Sequence, residues 1–380
     1  MTGSNTILVL YISVGQGHRR AALALQEALR EEDPFLRIVG LDLLELWPSG
    51  IARLVVFLYR LLVRTAPGIW AYLYDRRGVK ARLDGSLRVF HRLIRRRFQK
   101  LIEELAPAAV VCTQAFPCAL AAQCRFRLPP GFTLVAVPTD FRVHAYWIYP
   151  EVDLYLLPSR ESVEELSARG VDPERIVETG IPVRPGFSRT LDPDRMKRKY
   201  GLPPELPAVL LMGGGEGTVP LERLVLALDT SEEKFQVAAL AGRNRKQYLR
   251  LQSLRGRLGR PLTVFGFTDL VEELMAAVEV IVTKPGGLTT AEALAKRLPL
   301  VLIDPLPGQE DLNARFLGGH GAAIPAGDYA GAAAAAVKLL WDGALRERML
   351  AAMERIRKPD AARDAARIII SSLGGTVREG

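Results

Sequence analysis

Cysteine and histidine are scarce in this sequence, with three and four residues respectively among 380. Cys112, Cys118 and Cys124 lie close together, but they are odd in number and have neither CxxC spacing nor a companion pair of histidines. A disulfide framework or a structural zinc site would show one of those patterns. We therefore expect three free thiols packed in the core.

An export signal and a composition typical of disorder are also missing. The N-terminus lacks a basic region followed by an apolar stretch and a small-residue cleavage site, and residues 6–14 instead predict a buried strand. Together with free thiols, this favours a cytoplasmic location. The 24% of charged and 49% of hydrophobic residues are typical of a globular chain, and the length predicts two domains.

The positive charge is confined to one segment. The net charge is +9, and residues 51–100 contain 13 Lys and Arg against 2 Asp and Glu, a local charge of +11 that leaves −2 for the rest. A positive field of this density favours an anionic partner, either nucleic acid or a lipid surface.

The basic segment is also amphipathic. Arg53, Arg60 and Arg64 recur at offsets of seven and four, which places them on one helical face opposite Leu, Val and Phe, and Trp70 follows. An arginine at the bilayer centre costs about 2.5–3.5 kcal/mol, so the segment is too charged to span a membrane. We predict a helix that lies in the interface of anionic lipid. The alternatives are a core helix with a solvated basic face and a nucleic-acid surface, although the sequence contains no recognisable nucleic-acid-binding module.

Strand, glycine loop and helix alternate in both halves of the chain. ILVLYISV runs into GQGH and a helix, and AVLLMGG runs into GGGEG and a second helix. This alternation predicts parallel sheets with crossover helices. We predict an α/β fold with two Rossmann-like domains, 1–187 and 188–358, that face each other across a cleft. A Pro- and Gly-rich linker joins them, and a helix in 359–380 is expected to pack back on the first domain.

The segment TKPGGLTTAEALAKRLP carries the clearest chemical pattern. Gly286 and Gly287 follow a strand and are predicted to open a helix over 289–296, so that backbone N–H groups and the helix dipole favour a phosphate. Thr289 and Thr290 offer hydroxyl donors. The alternative is an ordinary helix entry.

Three acidic or amide side chains accompany this loop. Glu292, expected in the first helical turn, is an acceptor for both hydroxyls of a ribose. Gln309 and Glu310 follow the next strand after a Pro-Gly turn, where polar groups can grip a hexose. The combination with a phosphate-binding loop predicts a nucleotide-sugar site.

The first half offers a candidate base. Gly15 and Gly17 bracket a turn that places His18 at a helix N-terminus, which disfavours the imidazolium and predicts a neutral ring near pH 7. Asp140 ends another parallel strand and would either orient His18 or act as the base itself. The loop after it contains His144 and Trp147, which line an acceptor site or simply pack the loop.

Seven motifs of this sequence resemble those of a known protein family. KPGGLTTAEALAKRLP, PGQEDLNARFL, LMGGGEG, AGRNRK, ISVGQGHRRAA, VPTDFRVHAYWIYPEVDLYLLPS and GIPVRPGF stand in the order found in the monogalactosyldiacylglycerol synthase and processive diacylglycerol glucosyltransferase family. The chain resembles this family from about residue 7 to residue 325. The family is related to the lipid-linked peptidoglycan-precursor transferase. The resemblance implies the GT-B fold and the inverting transfer of a hexose from UDP-glucose or UDP-galactose to diacylglycerol, by a peripheral protein on the cytoplasmic face of the membrane.

The resemblance also implies roles for individual residues. Glu292 would bind the ribose, Phe267 would lie at the uracil, and Gln309 and Glu310 would hold the sugar hydroxyls. The implied diphosphate contacts are Gly213, Gly214, Gly215, Arg243, Gly286, Gly287 and Thr289. The implied UDP-sugar site also includes Gly15, Gly17 and Leu288.

No obligatory metal or cofactor is expected. The departing diphosphate gains negative charge, which helix N-termini and Arg243 can stabilise. A DxD pattern occurs at Asp192-Pro193-Asp194, but Asp before Pro at the first helical position is typical of an N-cap.

Other functions compete with this prediction. A nicotinamide dehydrogenase would explain the strand–GxG–helix pattern, and Asp42 lies at a plausible sequence spacing for a ribose-binding acid. However, Arg20 stands where the dinucleotide-binding motif requires its third glycine. A membrane-bound UDP-sugar sensor without catalysis and a transferase for an isoprenoid-linked acceptor also stay open, as do the choice between glucose and galactose and between His18 and Asp140 as the base.

Overall fold

A computed structural model describes residues 5–48, 50–54, 56–57, 61, 94–125, 132–214, 217 and 219–375. The chain forms two compact units. The first comprises Met1–Pro185, Pro307–Gln309 and Asp360–Gly380, and the second comprises Gly186–Leu306 and Glu310–Pro359.

The first unit is built on a six-stranded parallel sheet. The strands lie in the order β2-β1-β3-β4-β5-β6. Their bounds are β1 Thr6–Tyr11, β2 Arg37–Asp42, β3 Ala109–Cys112, β4 Thr133–Ala136, β5 Leu154–Leu157 and β6 Ile176–Glu178. The helices are α1 Gln16–Glu32, α2 Ala115–Arg125 and α3 Arg160–Ala168, together with helical residues 94–105. Apolar strands buried on both faces are what a parallel sheet between helices requires.

The last helix of the chain, α12 (Ala361–Gly375), belongs to this unit. Its face of Ala365, Ala366 and Ile369 packs with Leu25 and other apolar residues of α1 on one side of the sheet. The small alanines allow the two helices to approach closely. This helix packs back on the first unit, as the sequence predicts.

The three cysteines are free thiols buried in the first unit. Cys112 lies at the end of β3, and Cys118 and Cys124 lie in α2. The predicted core packing is confirmed.

The second unit repeats the same plan. Its strands lie in the order β12-β11-β10-β7-β8-β9, and all pairs are parallel. Their bounds are β7 Ala208–Met212, β8 Gln236–Leu240, β9 Leu262–Phe265, β10 Val280–Thr283, β11 Leu300–Leu302 and β12 Ala323–Pro325. The helices are α4 Pro193–Lys199, α5 Leu221–Asp229, α6 Arg245–Leu254, α7 Val271–Ala276, α8 Gly287–Ala295, α9 Gln309–Gly319, α10 Tyr329–Trp341 and α11 Gly343–Ile356. The predicted α/β class with two parallel sheets is confirmed.

The DxD pattern lies at the start of α4. The Asp192 carboxylate accepts hydrogen bonds from the backbone N–H groups of Asp194 and Arg195, at 3.0 and 3.2 Å, and Pro193 is the first helical residue. The capping role predicted for Asp192 is confirmed.

Part of the basic segment falls outside the described residues, including Arg60, Arg64 and Trp70, and so does Gly215 of the second glycine loop. Arg53 is described and exposed. Within the described part of the chain, no helix is long and apolar enough to cross a membrane.

Candidate functional site

In the second unit, the loop after β10 opens helix α8 without a side-chain cap. Gly286 is the N-cap, in extended conformation, and Gly287 is the first helical residue. The N–H groups of the first turn therefore have no side-chain partner at the cap, which leaves a helix N-terminus suited to an anion. Leu288 is buried and Thr289 is partly exposed in this turn.

Two details of this segment differ from the prediction. The helix begins two residues earlier than expected, at Gly287, so that Glu292 lies in the second turn and is only 3% exposed. The Thr290 hydroxyl is buried and donates to the carbonyls of Gly286 and Gly287, at 2.9 and 3.1 Å. A hydroxyl has one proton to donate, and in Thr290 that proton stays within the helix, so Thr290 is not the ligand donor that the sequence offered.

Glu310 is held by neighbours that the sequence did not indicate. Lys284 Nζ lies 2.8 Å from Glu310 Oε1, and the backbone N–H of Leu306 donates to Glu310 Oε2, also at 2.8 Å. The buried Asn313 donates to the carbonyl of Pro285 at 3.0 Å. These contacts tie helix α9, which begins with Gln309, to the loop after β10. Both carboxylate oxygens of Glu310 thus help to hold the loops around the candidate site in place.

The glycine loop after β7 is tied to the loop after β8. Gly214 and Gly217 have φ of +77° and +60°, in the left-handed region that favours glycine. Asn244 Nδ2 donates to the carbonyl of Gly217 at 2.8 Å, and Asn244 Oδ1 accepts from the N–H of Gln247 at 3.1 Å as the N-cap of α6. Gly213 is buried at the end of β7. Asn244 is a further site residue, and AGRNRK places it directly after β8.

Arg243 and Phe267, which the sequence offered as separate contacts, meet in the structure. The Arg243 guanidinium carbon lies 4.4 Å from the centroid of the Phe267 ring, and this ring is 40% exposed. A cation over an aromatic face is held by the quadrupole of the ring. The pair presents a positive charge beside an accessible aromatic surface, which suits a phosphate next to a planar base.

In the first unit, His18 is the third residue of α1, after Gly15 with φ +84° and Gly17 in the first turn. His18 Nδ1 lies 3.0 Å from the carbonyl oxygen of Thr113 and 2.8 Å from Thr139 Oγ1. A carbonyl oxygen only accepts, so Nδ1 carries the proton and Nε2 carries the lone pair. Burial lowers the pKa of His18 to about 4, and the hydrogen bond to Thr113 opposes this shift. The neutral ring expected from the helix N-terminus is thus favoured by burial.

The sequence left alternatives open for Asp140 and Trp147 in the segment after β4. The hydrogen-bond partners of the His18 ring within the described chain are Thr113 and Thr139, so Thr139 takes the orienting position, which was one of the two roles considered for Asp140. Trp147 is only 3% exposed and lies in the core. Loop packing therefore explains Trp147, and His144 lies partly exposed beside it with a ring-centroid distance of 6.3 Å.

Asp42, on which the dehydrogenase alternative depends, has a structural role. Its carboxylate accepts from the N–H groups of Leu44 at 3.1 Å and Ser13 at 3.4 Å, and it caps the short 3-10 helix Leu43–Leu46. A ribose-binding carboxylate offers its oxygens to the ligand. The arrangement at β2 does not support a dinucleotide site.

Comparisons with known proteins agree with this geometry. Residues 18–183 match the monogalactosyldiacylglycerol (MGDG) synthase family, and residues 208–365 match the glycosyltransferase family 28 C-terminal domain. The processive diacylglycerol beta-glucosyltransferase of Bacillus cereus (strain G9842) is 29% identical over 94% of this chain and 91% of its own length. The protein of the same name from Bacillus cytotoxicus is 29% identical over 96% of this chain and 93% of its own length.

Solved structures share the fold at low identity. Acinetobacter baumannii MurG matches with a TM-score of 0.61 and 15% identity over 96% of this chain and 99% of its own. A kitacinnamycin glycotransferase matches with a TM-score of 0.65 and 15% identity over 96% and 98%. The fold is GT-B, as the resemblance implied, and the two family matches follow each other along the chain. The protein is a glycosyltransferase whose first half is similar to the monogalactosyldiacylglycerol synthase family and whose second half is similar to the glycosyltransferase family 28 C-terminal domain.

Proposed function

We propose that this protein transfers a hexose from a UDP-sugar to diacylglycerol, with inversion at the anomeric carbon, at the surface of a membrane. The proposal rests on the presence of two features in one chain. The second unit has an uncapped helix N-terminus at Gly286–Gly287, and the first unit has a neutral, oriented histidine. A donor site and an acceptor base are the two parts that a sugar transfer to a hydroxyl requires.

We assign donor binding to the second unit. The N–H groups after Gly286 and the loop around Gly214 would bind the diphosphate, and Arg243 would add a positive charge. The exposed face of Phe267 would stack on the uracil. Glu292 would accept hydrogen bonds from the ribose.

Sugar contacts fall to the start of α9. Gln309 would bind the hexose hydroxyls directly, and Glu310 would keep the loop in place through Lys284 and Leu306. The name of the two relatives favours glucose as the transferred sugar. The start of α9 would accept UDP-galactose only if the amide of Gln309 tolerates the axial hydroxyl that distinguishes galactose from glucose.

We assign acceptor activation to the first unit. The Nε2 lone pair of His18 would take the proton of the free glycerol hydroxyl while its oxygen attacks the anomeric carbon. The bond between that carbon and the diphosphate oxygen breaks on the opposite face, UDP leaves with the electron pair, and a β-glycoside forms. Asp140 would stay close to the acceptor as a polar contact.

We propose that the leaving group needs no divalent ion. The negative charge that grows on UDP would be stabilised by the N–H groups of the helix start and by the guanidinium of Arg243. Asp192 of the DxD pattern is occupied as a helix cap. Full activity after EDTA treatment is expected, and a loss that Mg²⁺ restores would refute this part of the proposal.

Membrane docking is proposed on the first unit. In the helical residues 50–54, 56–57 and 61, Ile51 and Ala52 pack against the core, whereas Leu54, Phe57 and Leu61 are exposed by 55%, 61% and 43%. Their offsets of three and seven place these apolar side chains on one helical face. An apolar face beside basic residues is suited to the interface of an anionic bilayer. Diacylglycerol would be taken from that surface, on the cytoplasmic side.

The deciding experiment incubates the purified protein with UDP-glucose or UDP-galactose and diacylglycerol in phosphatidylglycerol-containing vesicles. Mass spectrometry would detect the added hexose, and the anomeric proton coupling in the NMR spectrum would report the β linkage. His18→Gln is the matched control and should retain UDP binding while it loses transfer. UDP binding without glycolipid product from either donor would overturn the proposed function, and a product formed only with an isoprenoid-linked acceptor would replace it.

A further inference from the structure

The surroundings of His18 differ from those of most catalytic histidines. In a Ser–His–Asp arrangement, a carboxylate orients the ring and stabilises the imidazolium that forms. Here the partners of Nδ1 are a backbone carbonyl of Thr113 and a hydroxyl of Thr139, both uncharged. The neutral acceptors need an explanation of their own.

Thr113 contacts His18 at two points. Its carbonyl accepts from Nδ1 at 3.0 Å, and its own hydroxyl donates to the carbonyl oxygen of His18, also at 3.0 Å. One residue therefore fixes both the ring and the backbone of His18. Thr113 is fully buried, so these bonds are not exchanged for bonds to water.

Thr113 and Thr139 are placed by neighbouring strands. Thr113 directly follows β3, and Thr139 follows β4 by three residues. These strands are paired in the sheet with Cys112 opposite Ala136, and both threonines are buried. The ring is thus held by two rigid strand ends while its own helix starts after β1, the strand on the other side of β3.

We propose that Thr113 and Thr139 are the positioning residues that fix His18 with a protonated Nδ1 and an Nε2 lone pair toward the acceptor, in place of a carboxylate. This inference rests on the proposed function, in which His18 is the base. The Thr113 carbonyl selects the tautomer because it can only accept, and the Thr139 hydroxyl then shares the Nδ1 proton through a lone pair. Neither uncharged group stabilises the imidazolium as strongly as an anion would. His18 therefore stays neutral and oriented before the acceptor hydroxyl arrives.

The tautomer can be measured without any activity. The chain contains four histidines, so ¹⁵N-histidine labelling gives four rings, and His18→Gln identifies the signals of His18. At pH 7 we expect the His18 shifts of a protonated Nδ1 and an unprotonated Nε2. A protonated Nε2 in the wild-type protein would refute the inference, whether or not the protein transfers hexose to diacylglycerol.

Kinetics test the role of the hydroxyl. Thr139→Val keeps the shape of the side chain and removes the acceptor, and we expect kcat to fall about tenfold with an unchanged KM for the UDP-sugar. Thr139→Ser restores the hydroxyl and should return kcat to within about threefold of the wild type. Thr113→Val, which retains the carbonyl, should show a smaller loss than Thr139→Val. Equal kcat for wild type and Thr139→Val, or no rescue by Thr139→Ser, would contradict the proposal.

Discussion

Lys284 Nζ lies 2.8 Å from Glu310 Oε1, and both side chains are about 15% exposed. The other oxygen of Glu310 accepts from the N–H of Leu306. The ion pair thus joins the loop that opens α8 to the helix that begins with Gln309. Since each carboxylate oxygen already has a partner within the protein, we expect Glu310 to act on the sugar through the position of the loop.

Glu310→Gln is expected to weaken donor binding without changing sugar preference. The substitution leaves the largely buried Lys284 ammonium without its anion, at a cost of about 1–3 kcal/mol in free energy of unfolding. We expect the KM for UDP-hexose to rise about tenfold while the ratio of rates with UDP-glucose and UDP-galactose stays constant. Lys284→Met combined with Glu310→Gln should recover part of the stability, because no unpaired charge remains. A changed sugar ratio in Glu310→Gln would mean that Glu310 reads the hexose directly.

The sequence was sufficient to place the chemistry on particular loops but not to find the side chains that hold those loops. Apolar runs followed by glycine predicted the loops that contain Gly15, Gly213 and Gly286, because a strand followed by a glycine loop is a local pattern in the sequence. Thr139 lies 121 residues from His18 along the chain, and no local pattern contains that contact. The two readings of Trp147 stayed open for the same reason, since burial of an aromatic loop residue depends on distant segments that pack against it.

The backbone at Gly217 predicts a second result. A methyl group on this residue would lie 2.7 Å from the carbonyl oxygen of Ala241 and 2.8 Å from Asn244 Cβ, and φ is +60°. Gly217→Ala should therefore push the loop after β7 away from the loop after β8 and break the hydrogen bond from Asn244 to Gly217. We expect a loss of about 1–3 kcal/mol in stability and at least about a tenfold rise in the Kd for UDP.

Gly201→Ala is the matched control for that variant. Gly201, which follows α4 and lies outside the proposed site, also has a positive φ, +67°, but a methyl group there meets no atom within 4 Å. It should show only the strain of the left-handed conformation, about 1–2 kcal/mol. Thermal unfolding and UDP titration by calorimetry would compare the two. Indistinguishable Kd values would show that contact between the loops is irrelevant to UDP binding.

The pKa of His18 gives a pH dependence with a definite sign. The folded protein holds this pKa near 4, below the ordinary value of 6.5. Above pH 6.5 the ring is neutral in both folded and unfolded chains, and the stability from this group is fully present. As pH falls from 6.5 to 4, the unfolded chain binds a proton that the folded chain does not, so stability is lost.

Urea unfolding at pH 7.0 and 4.5 would test this linkage. Between these values the wild-type protein should lose about 1–3 kcal/mol more stability than His18→Gln, which has no proton to bind at this position. In the pH profile of kcat, the inflection on the acid side should likewise lie well below pH 6.5. Parallel losses in both proteins would show that His18 titrates with an ordinary pKa in the folded state.

The exposed apolar side chains of Leu54, Phe57 and Leu61 predict how the protein reaches its acceptor. Phe57→Glu places a charge where the side chain would enter the acyl region, and it also opposes the anionic lipid. Phe35→Glu adds the same charge at an 87% exposed phenylalanine between α1 and β2, outside the basic segment. We expect flotation with vesicles containing phosphatidylglycerol to fall about tenfold for Phe57→Glu and to change little for Phe35→Glu. Equal losses would point to net charge rather than insertion, and binding by Phe57→Glu at the wild-type level would exclude this face as the membrane contact.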